Sequence, residues 1–245
     1  MFETIATFYV LIFTALLPAL VLGVLGAGAM RVQLPLGQAA RTLGGIALIL
    51  GLWHALSVTL AKSGQLMPPP NVTDPPIALL PLIGGAVLLW SLLRFTPTGR
   101  SILGELNQKL LIGFQIPRVM GGLFLLGWVM GDIPWQFAIP AGLGDIWAGV
   151  AAFQAVRALD RGDANAERLV WRANIIGLAD FLIAVSIGLI TSVGFLHLLA
   201  QDAPNIINAY PLALFPGFFV PIFIAFHMLS IGALRRDRKP QLVSG

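Results

Sequence analysis

The chain has 245 residues, of which 57% are hydrophobic and 11% are charged, and its mean hydropathy is +0.87. An ordinary soluble domain carries roughly 25% charged residues, so this composition excludes that class and indicates a protein that is solvated by lipid. Because the chain contains no cysteine, disulfides, thiolate metal sites, iron–sulfur clusters and cysteine-based catalysis are excluded as well.

Seven stretches of the sequence are predicted to be transmembrane helices. Each holds about 20 mainly apolar residues, which is the length needed to cross a hydrocarbon core of about 30 Å. They cover residues 5–25, 42–61, 77–93, 110–130, 137–156, 173–193 and 210–234. The loops between them are too short to fold separately, so the sequence predicts one all-α domain over residues 1–245, a bundle of seven membrane-spanning helices.

The first three spans have no charged residue in their apolar middle. The first follows Met1, Phe2 and Glu3 without the positive charge that opens a secretory signal peptide, so we expect it to be retained. The second has His54 near its centre and Ser57 one turn later. The third is short and follows a proline-rich segment at 67–76, so its start is the least well-defined boundary.

The next three spans each contain one charged residue in their middle third: Arg118, Asp145 and Asp180. Each lies about seven or eight residues into its span, which is about 10 to 12 Å at 1.5 Å per residue. Consecutive helices joined by short loops are usually neighbours, so we expect the arginine to meet both carboxylates. A charge inside a bilayer is costly and marks a functional position by default, so these three residues are the candidate site.

Two polar residues extend this candidate site. Gln115 lies three residues before Arg118 on the same helix face, and Asn174 lies six residues before Asp180, nearer the cytoplasmic end of its span. Together they predict a polar track from the cytoplasmic side to the middle of the membrane. Prolines in the fourth and seventh spans predict kinks nearby, so we expect a cavity that is reached from the cytoplasmic side.

The two aspartates end similar tetrapeptides, Gly-Leu-Gly-Asp at 142–145 and Gly-Leu-Ala-Asp at 177–180, on antiparallel helices. Inverted repeats build many transporters around a site in the middle of the membrane. If both carboxylates were ionised, the cluster would carry a net charge of −1 at low dielectric constant. We therefore expect one aspartate to be neutral and able to exchange a proton. The alternative is a buried ion pair that only fixes helix register.

Two histidines lie deep in the second and seventh spans. His54 and His227 could together ligate haem or a metal ion. Neither has a second histidine one turn away, and metal sites usually need three or four ligands, so hydrogen bonding within the bundle is the favoured role. The sequence therefore leaves open whether the protein holds a cofactor.

The residues that would identify two known seven-helix classes are missing. A retinal protein needs a lysine within a span, and this chain has none. A seven-helix zinc hydrolase needs paired histidines in the seventh span, and this chain has one histidine there.

Positive charge is concentrated on one side of the predicted bundle. Thirteen of the 15 lysines and arginines lie in alternate loops or the tail: Arg31, Arg41, Arg94, Arg100, Lys109, Arg157, Arg161, Arg168, Arg172, Arg235, Arg236, Arg238 and Lys239. The opposite side carries only Lys62. The bias of cytoplasmic loops toward positive charge therefore predicts an external N-terminus and a cytoplasmic C-terminus. Setting topology and meeting anionic lipid account for these cations, so no nucleic-acid partner is predicted.

Two classes of function follow from these features. The first is a secondary carrier or channel for a small solute, with or without coupling to protons. In this class Asp145 and Asp180 bind the solute or the proton, and Arg118 is the counter-ion. The second is an intramembrane enzyme, or a haem- or metal-binding protein, that uses His54 and His227. A further alternative is a membrane scaffold whose buried charges are purely structural. The expected partners are the bilayer and a small solute or proton. Glycine-rich helix faces also allow a homo-oligomer. The expected location is a bacterial cytoplasmic membrane.

Overall fold

The computed structural model describes residues 1–238, and in this part of the chain 76% of the residues are helical and there are no strands. The α-helices are Phe2–Arg31 (α1), Leu36–Lys62 (α2), Gly85–Phe95 (α3), Pro97–Glu105 (α4), Gln108–Gly113 (α5), Gly122–Val129 (α6), Trp135–Arg161 (α7), Ala166–Thr191 (α8) and Val220–Arg238 (α9). Short segments of different pitch precede three of them: a π-helix at Leu80–Gly84, a 3₁₀-helix at Ile116–Gly121 and a second π-helix at Phe215–Phe219.

Six runs of helix in residues 1–238 are long and apolar enough to cross a membrane. A seventh crossing requires the bent pair Leu80–Phe95 and Pro97–Glu105, whose axes differ by 87°. The second member of this pair, α4, packs across the end of α1, and Arg31 donates a hydrogen bond to the Glu105 carbonyl at 3.1 Å. The prediction of an all-helical membrane bundle is therefore confirmed, with six spans or seven when the bent pair is counted as one.

The predicted boundaries differ from the structure where prolines cluster. The seventh span, predicted from residue 210, becomes helical only at Phe215, because residues 210–214 form a turn that contains Pro211. The third span, predicted from residue 77, begins at Leu80, four residues after Pro76. Proline disfavours helical backbone at the residue before it and cannot donate a backbone hydrogen bond, so it moves both helix starts inward.

The antiparallel spans give the bundle two faces. The connections at 32–35, 96–107 (which includes α4) and 162–165 lie on one side, together with the C-terminal end of α9. We call this side the basic face, because the arginines and lysines of the charge bias lie in or beside these segments; Lys239 alone among them lies outside the described residues. Loops 63–79, 130–134 and 192–214 lie on the other side, which we call the proline-rich face.

Side chains on the outside of the bundle are apolar. On α1, Ala6, Val10, Leu17 and Leu25 are buried at helical spacing, whereas Phe8 and several other large apolar side chains on its opposite side are exposed. A soluble monomer rarely exposes so continuous an apolar surface, so this belt is the part of the bundle that fits the hydrocarbon of a bilayer.

Helix α2 satisfies a backbone group that a proline leaves without a donor. Pro221 has no N–H to give to the Gly217 carbonyl four residues earlier. Trp53 Nε1 and Ser57 Oγ of α2 donate to that carbonyl at 3.0 and 2.9 Å. The proline-containing start of the seventh span is therefore held by hydrogen bonds from the second span.

Candidate functional site

Arg118 is placed by a break in its own helix. Pro117 cannot donate to the carbonyl four residues earlier, and the chain continues as a 3₁₀-helix in which the Arg118 N–H bonds to the Gln115 carbonyl at 3.1 Å. The fourth span is therefore three pieces, α5, the 3₁₀-helix and α6, where one kinked helix was predicted. The break lies in the middle of the span, so Arg118 projects into the bundle from an irregular segment.

Arg118 contacts both of the aspartates with which it was grouped. Its Nε donates to Asp145 Oδ1 of α7 at 2.9 Å, and its second terminal nitrogen, Nη2, donates to Asp180 Oδ2 of α8. The arginine side chain is fully buried, whereas the Asp145 side chain is 13% exposed. One cation thus joins three consecutive spans, and it faces two carboxylates.

Two further groups hold the guanidinium. Its Nη1 donates to the Gly177 carbonyl at 3.0 Å and contacts His227 Nε2 of α9 at 3.3 Å. The Phe181 ring lies against the guanidinium, with the carbon at the centre of that group 3.6 Å from the ring centroid. Such stacking is favourable when the cation is removed from water, so Arg118 is fixed on every side by protein groups.

Glycines allow these helices to come close enough for the contacts. A Cβ added at Gly144 would lie 1.8 Å from Asp180 Oδ1, and one added at Gly177 would lie 2.3 Å from His227 Nε2 and 2.6 Å from Arg118 Nη1. Both glycines belong to the tetrapeptides that end in Asp145 and Asp180. They occupy different positions there, since Gly144 is the third residue of its tetrapeptide and Gly177 is the first, so the two glycines make space for the charged cluster independently of the shared pattern.

A chain of hydrogen bonds leads from Arg118 toward the basic face. His227 Nδ1 and Asn174 Oδ1 are 2.9 Å apart, Asn174 Nδ2 donates to Ser230 Oγ at 2.9 Å, and Ser230 Oγ donates to Gln108 Oε1 at 2.9 Å. Gln108 is half-buried at the start of α5. Of the two residues from which a polar track was predicted, Asn174 belongs to this chain of contacting side chains and Gln115 does not.

The partners of these groups fix the direction of the chain. Asn174 Nδ2 also donates to the Val170 carbonyl at 3.0 Å, so the amide oxygen must face His227. That oxygen can only accept, so the proton of a neutral His227 is on Nδ1, which leaves Nε2 to accept from Arg118. Each donor therefore points away from Arg118, and the chain holds the arginine in place.

Two other predicted site residues lie outside this chain. Gln115 faces α9, where its Nε2 donates to the Phe223 carbonyl at 3.0 Å. The buried Oε1 of Gln115 has no hydrogen-bond partner in the described part of the chain. His54 packs edge-on against Phe218, and its Nε2 has no hydrogen-bond partner among residues 1–238. The structure therefore does not bring His54 into the polar chain that contains His227.

A cavity of about 270 Å³ reaches the cluster at Asp145. Its walls come from the loops of the proline-rich face and from the adjoining parts of the helices, and they are almost entirely apolar. Five phenylalanines line it: Phe124, Phe137, Phe181, Phe195 and Phe215. Asp145 is the one ionisable residue in the lining, and Asn208 is the other polar one.

The cavity lies on the opposite side from the one predicted. We expected access from the cytoplasmic side, past Asn174, Asp180 and His227. In the structure Asn174 and His227 are fully buried and bonded to each other, so the basic-face half of the site is filled by protein. The error has a physical cause: polar side chains in a span line a water-filled path only where they leave room for water, and here they satisfy one another.

Within residues 1–238, no group of three or more histidine, aspartate or glutamate side chains could hold a metal ion.

Sequence reasoning missed three residues of the site: Gln108, Ser230 and Phe181. Ser230 lies three residues after His227 on the same helix, and Phe181 directly follows Asp180, so spacing was an available signal for these two. No such signal existed for Gln108, because it lies next to a loop and far from Ser230 in the sequence.

A family model described as a domain of unknown function (DUF8737) matches residues 75–235. This segment contains the whole polar chain from Gln108 to Ser230 and both aspartates, and it leaves out α1 and α2. Neither a curated protein nor a solved structure matches the chain.

Proposed function

The chain belongs to the DUF8737 family, and we propose that this member is a secondary carrier for a small solute. Asp145 is the group that binds the solute or exchanges a proton, and Arg118 is its fixed counter-ion. The proposal is carried by one observation: an apolar cavity ends at an ionisable carboxylate in the middle of a membrane bundle. Ionisable groups inside membrane segments are costly and are typical of ion and solute paths.

The charge balance of the cluster supports exchange at this position. Arg118 supplies one positive charge and Asp145 and Asp180 supply two negative charges when ionised. An uncompensated charge in a low-dielectric interior costs several kcal/mol, so a proton or a cation that removes it is bound favourably. Asp145 is the member of the cluster that lines the cavity, so the exchange takes place there.

The shape of the site favours a carrier over a channel. A channel needs a continuous path, and the path from the cavity to the basic face is filled by the buried side chains of Arg118, His227 and Asn174. In a carrier the site is reached from one side at a time, and broken helices near the middle of the membrane are common in such proteins.

Irregular helix segments lie where such a movement would occur. The π-helices Leu80–Gly84 and Phe215–Phe219 pack against each other, and residues of both line the cavity, including Leu82 and Pro216. Segments of altered pitch often mark functional positions and hinges. We propose that α3 and α9 move at these segments when the cavity closes.

Solute-driven proton flux tests the carrier proposal. Purified protein is reconstituted into liposomes with an entrapped pH dye, and a panel of small solutes is added on one side. We expect wild-type protein to give a proton flux with at least one solute, and Asp145→Asn to reduce that flux to the level of empty liposomes, because asparagine cannot carry the proton or the charge.

The matched control for this experiment is Asp132→Asn, the same chemical change at an exposed residue of the 130–134 loop. Its flux should equal that of wild type. A structural role for the cluster is indicated instead if wild-type protein moves no solute in the panel, or if Asp145→Asn moves the active solute as fast as wild type does.

We also propose the orientation that the positive charge predicts, with the basic face in the cytoplasm and the proline-rich face outside a bacterial cytoplasmic membrane. The chain has no cysteine, so single cysteines report position without background. In intact cells an impermeant thiol reagent should label Ser63→Cys, at the proline-rich face, and should leave Ser101→Cys unlabelled until the cells are permeabilised. Both serines are exposed, and the opposite labelling pattern would reverse the orientation.

A further inference from the structure

We propose that the solute is a small hydrophobic ammonium ion, which binds with its apolar part against the phenylalanines of the cavity and its charged nitrogen at Asp145. This inference rests on the proposed carrier function, and it names the chemical class that the cavity would take.

The charge of the cluster selects a cation over an anion. Asp145 Oδ1 accepts from Arg118 Nε, and Asp180 accepts from the same guanidinium, so the single positive charge is shared between two carboxylates. Arg118 itself is fully buried behind Asp145 and is absent from the lining, so a ligand meets the carboxylate and not the guanidinium. An anion at this position would add to an excess of negative charge.

The walls of the cavity select an apolar ligand whose charged end is a cation. Asn208, the second polar residue of the lining, already donates to Ser192 Oγ at 3.1 Å, and the five phenylalanines provide no hydrogen bonds. Aromatic faces attract ammonium groups through the ring quadrupole, and the attraction is stronger when the site is desolvated. A neutral polar solute would leave its polar groups unpaired against these walls, which is costly.

The volume sets the size of the ligand. An apolar cavity of about 150 Å³ holds one benzene molecule, so a cavity of about 270 Å³ holds a ligand that is larger than benzene by up to roughly four-fifths. A single ring with a short aminoalkyl chain fits this volume, whereas a sterol or a two-chain lipid does not.

Three matched compounds test the inference: 2-phenylethylamine, 2-phenylethanol and phenylacetate. They share the ring and a short chain and differ in the charge at its end. Each is titrated against purified protein in detergent at neutral pH, and the Kd is obtained from the shift of the thermal unfolding midpoint. We expect the Kd of the amine to be at least about tenfold lower than that of the alcohol, a ratio that corresponds to about 1.4 kcal/mol, and phenylacetate should not bind.

Two variants locate the binding site. Asp145→Asn should remove the preference for the amine while the alcohol still binds, and Asp132→Asn should behave as wild type. Phe195→Leu changes a partly exposed ring of the lining and leaves the charged cluster intact, so it tests the site even if Asp145→Asn does not fold. It should weaken binding of the amine more than binding of the alcohol.

The outcomes separate this inference from the carrier proposal. If the amine binds no more tightly than the alcohol, or if phenylacetate binds best, the ammonium assignment is overturned, and a proton flux driven by some other solute would still support a carrier. If the amine binds selectively through Asp145 but no solute drives a proton flux, the ligand class stands and the carrier function fails.

Discussion

Replacement of Arg118 by alanine is expected to destabilise the fold by about 3 to 5 kcal/mol, the range observed when one partner of a buried ion pair is removed. The substitution removes donors to Asp145, Asp180, Gly177 and His227 in one step. The two carboxylates and the histidine then remain buried without the cation that faces them, and the space of the guanidinium is left empty.

Thermal unfolding in detergent measures this effect, and Arg161→Ala is the matched control. Arg161 pairs with Asp163 at the basic face, where the side chains are 59% and 34% exposed to solvent. Exposed pairs contribute about 0 to 1 kcal/mol, so this variant should melt close to wild type. If Arg118→Ala melts at the same temperature as Arg161→Ala, Arg118 does not hold the three spans together.

Substitution of Gly144 by alanine is expected to disrupt the site through a steric clash. The added Cβ would lie 1.8 Å from Asp180 Oδ1 and 2.7 Å from Asp180 Cγ. Asp180 cannot easily turn away, because its other oxygen accepts from Arg118. Either α7 and α8 must separate or the ion pair must break, and overpacking of this kind costs about 1 to 3 kcal/mol.

Gly51→Ala in α2 is the control for this prediction. A Cβ at Gly51 would have no heavy atom within 4 Å, so alanine should be neutral or stabilise the helix by about 0.5 to 1 kcal/mol. Gly144→Ala should therefore lower the unfolding temperature, whereas Gly51→Ala should leave it unchanged or raise it. Equal melting temperatures would contradict the close packing of α7 on α8 at Gly144.

The charged residues of the site were accessible to sequence reasoning because lipid restricts them so strongly. A charged side chain in a long apolar span needs a partner inside the bundle, and Arg118, Asp145 and Asp180 lie at similar depths in consecutive spans. Depth along a helix follows directly from residue number, so the pairing of one cation with two carboxylates could be expected from the sequence.

Residues whose roles depend on helix rotation were not accessible in this way. His54 packs on Phe218, whereas His227, nine residues later on the seventh span, bonds with Arg118. Which side of a helix faces the interior is set by packing, and in this bundle the π- and 3₁₀-segments change the rotation of the following helix. A regular helical spacing cannot predict that change.

The sequence by itself thus determined the all-helical membrane class, the approximate spans and the buried cluster, because the cost of placing charge and unbonded backbone in lipid leaves few alternatives. The tertiary structure alone decided that the cavity approaches Asp145 from the proline-rich face, that Asn174 and His227 close the basic side, and that the third span is bent. These features depend on how side chains from distant helices fill or leave space, and no single segment carries that information.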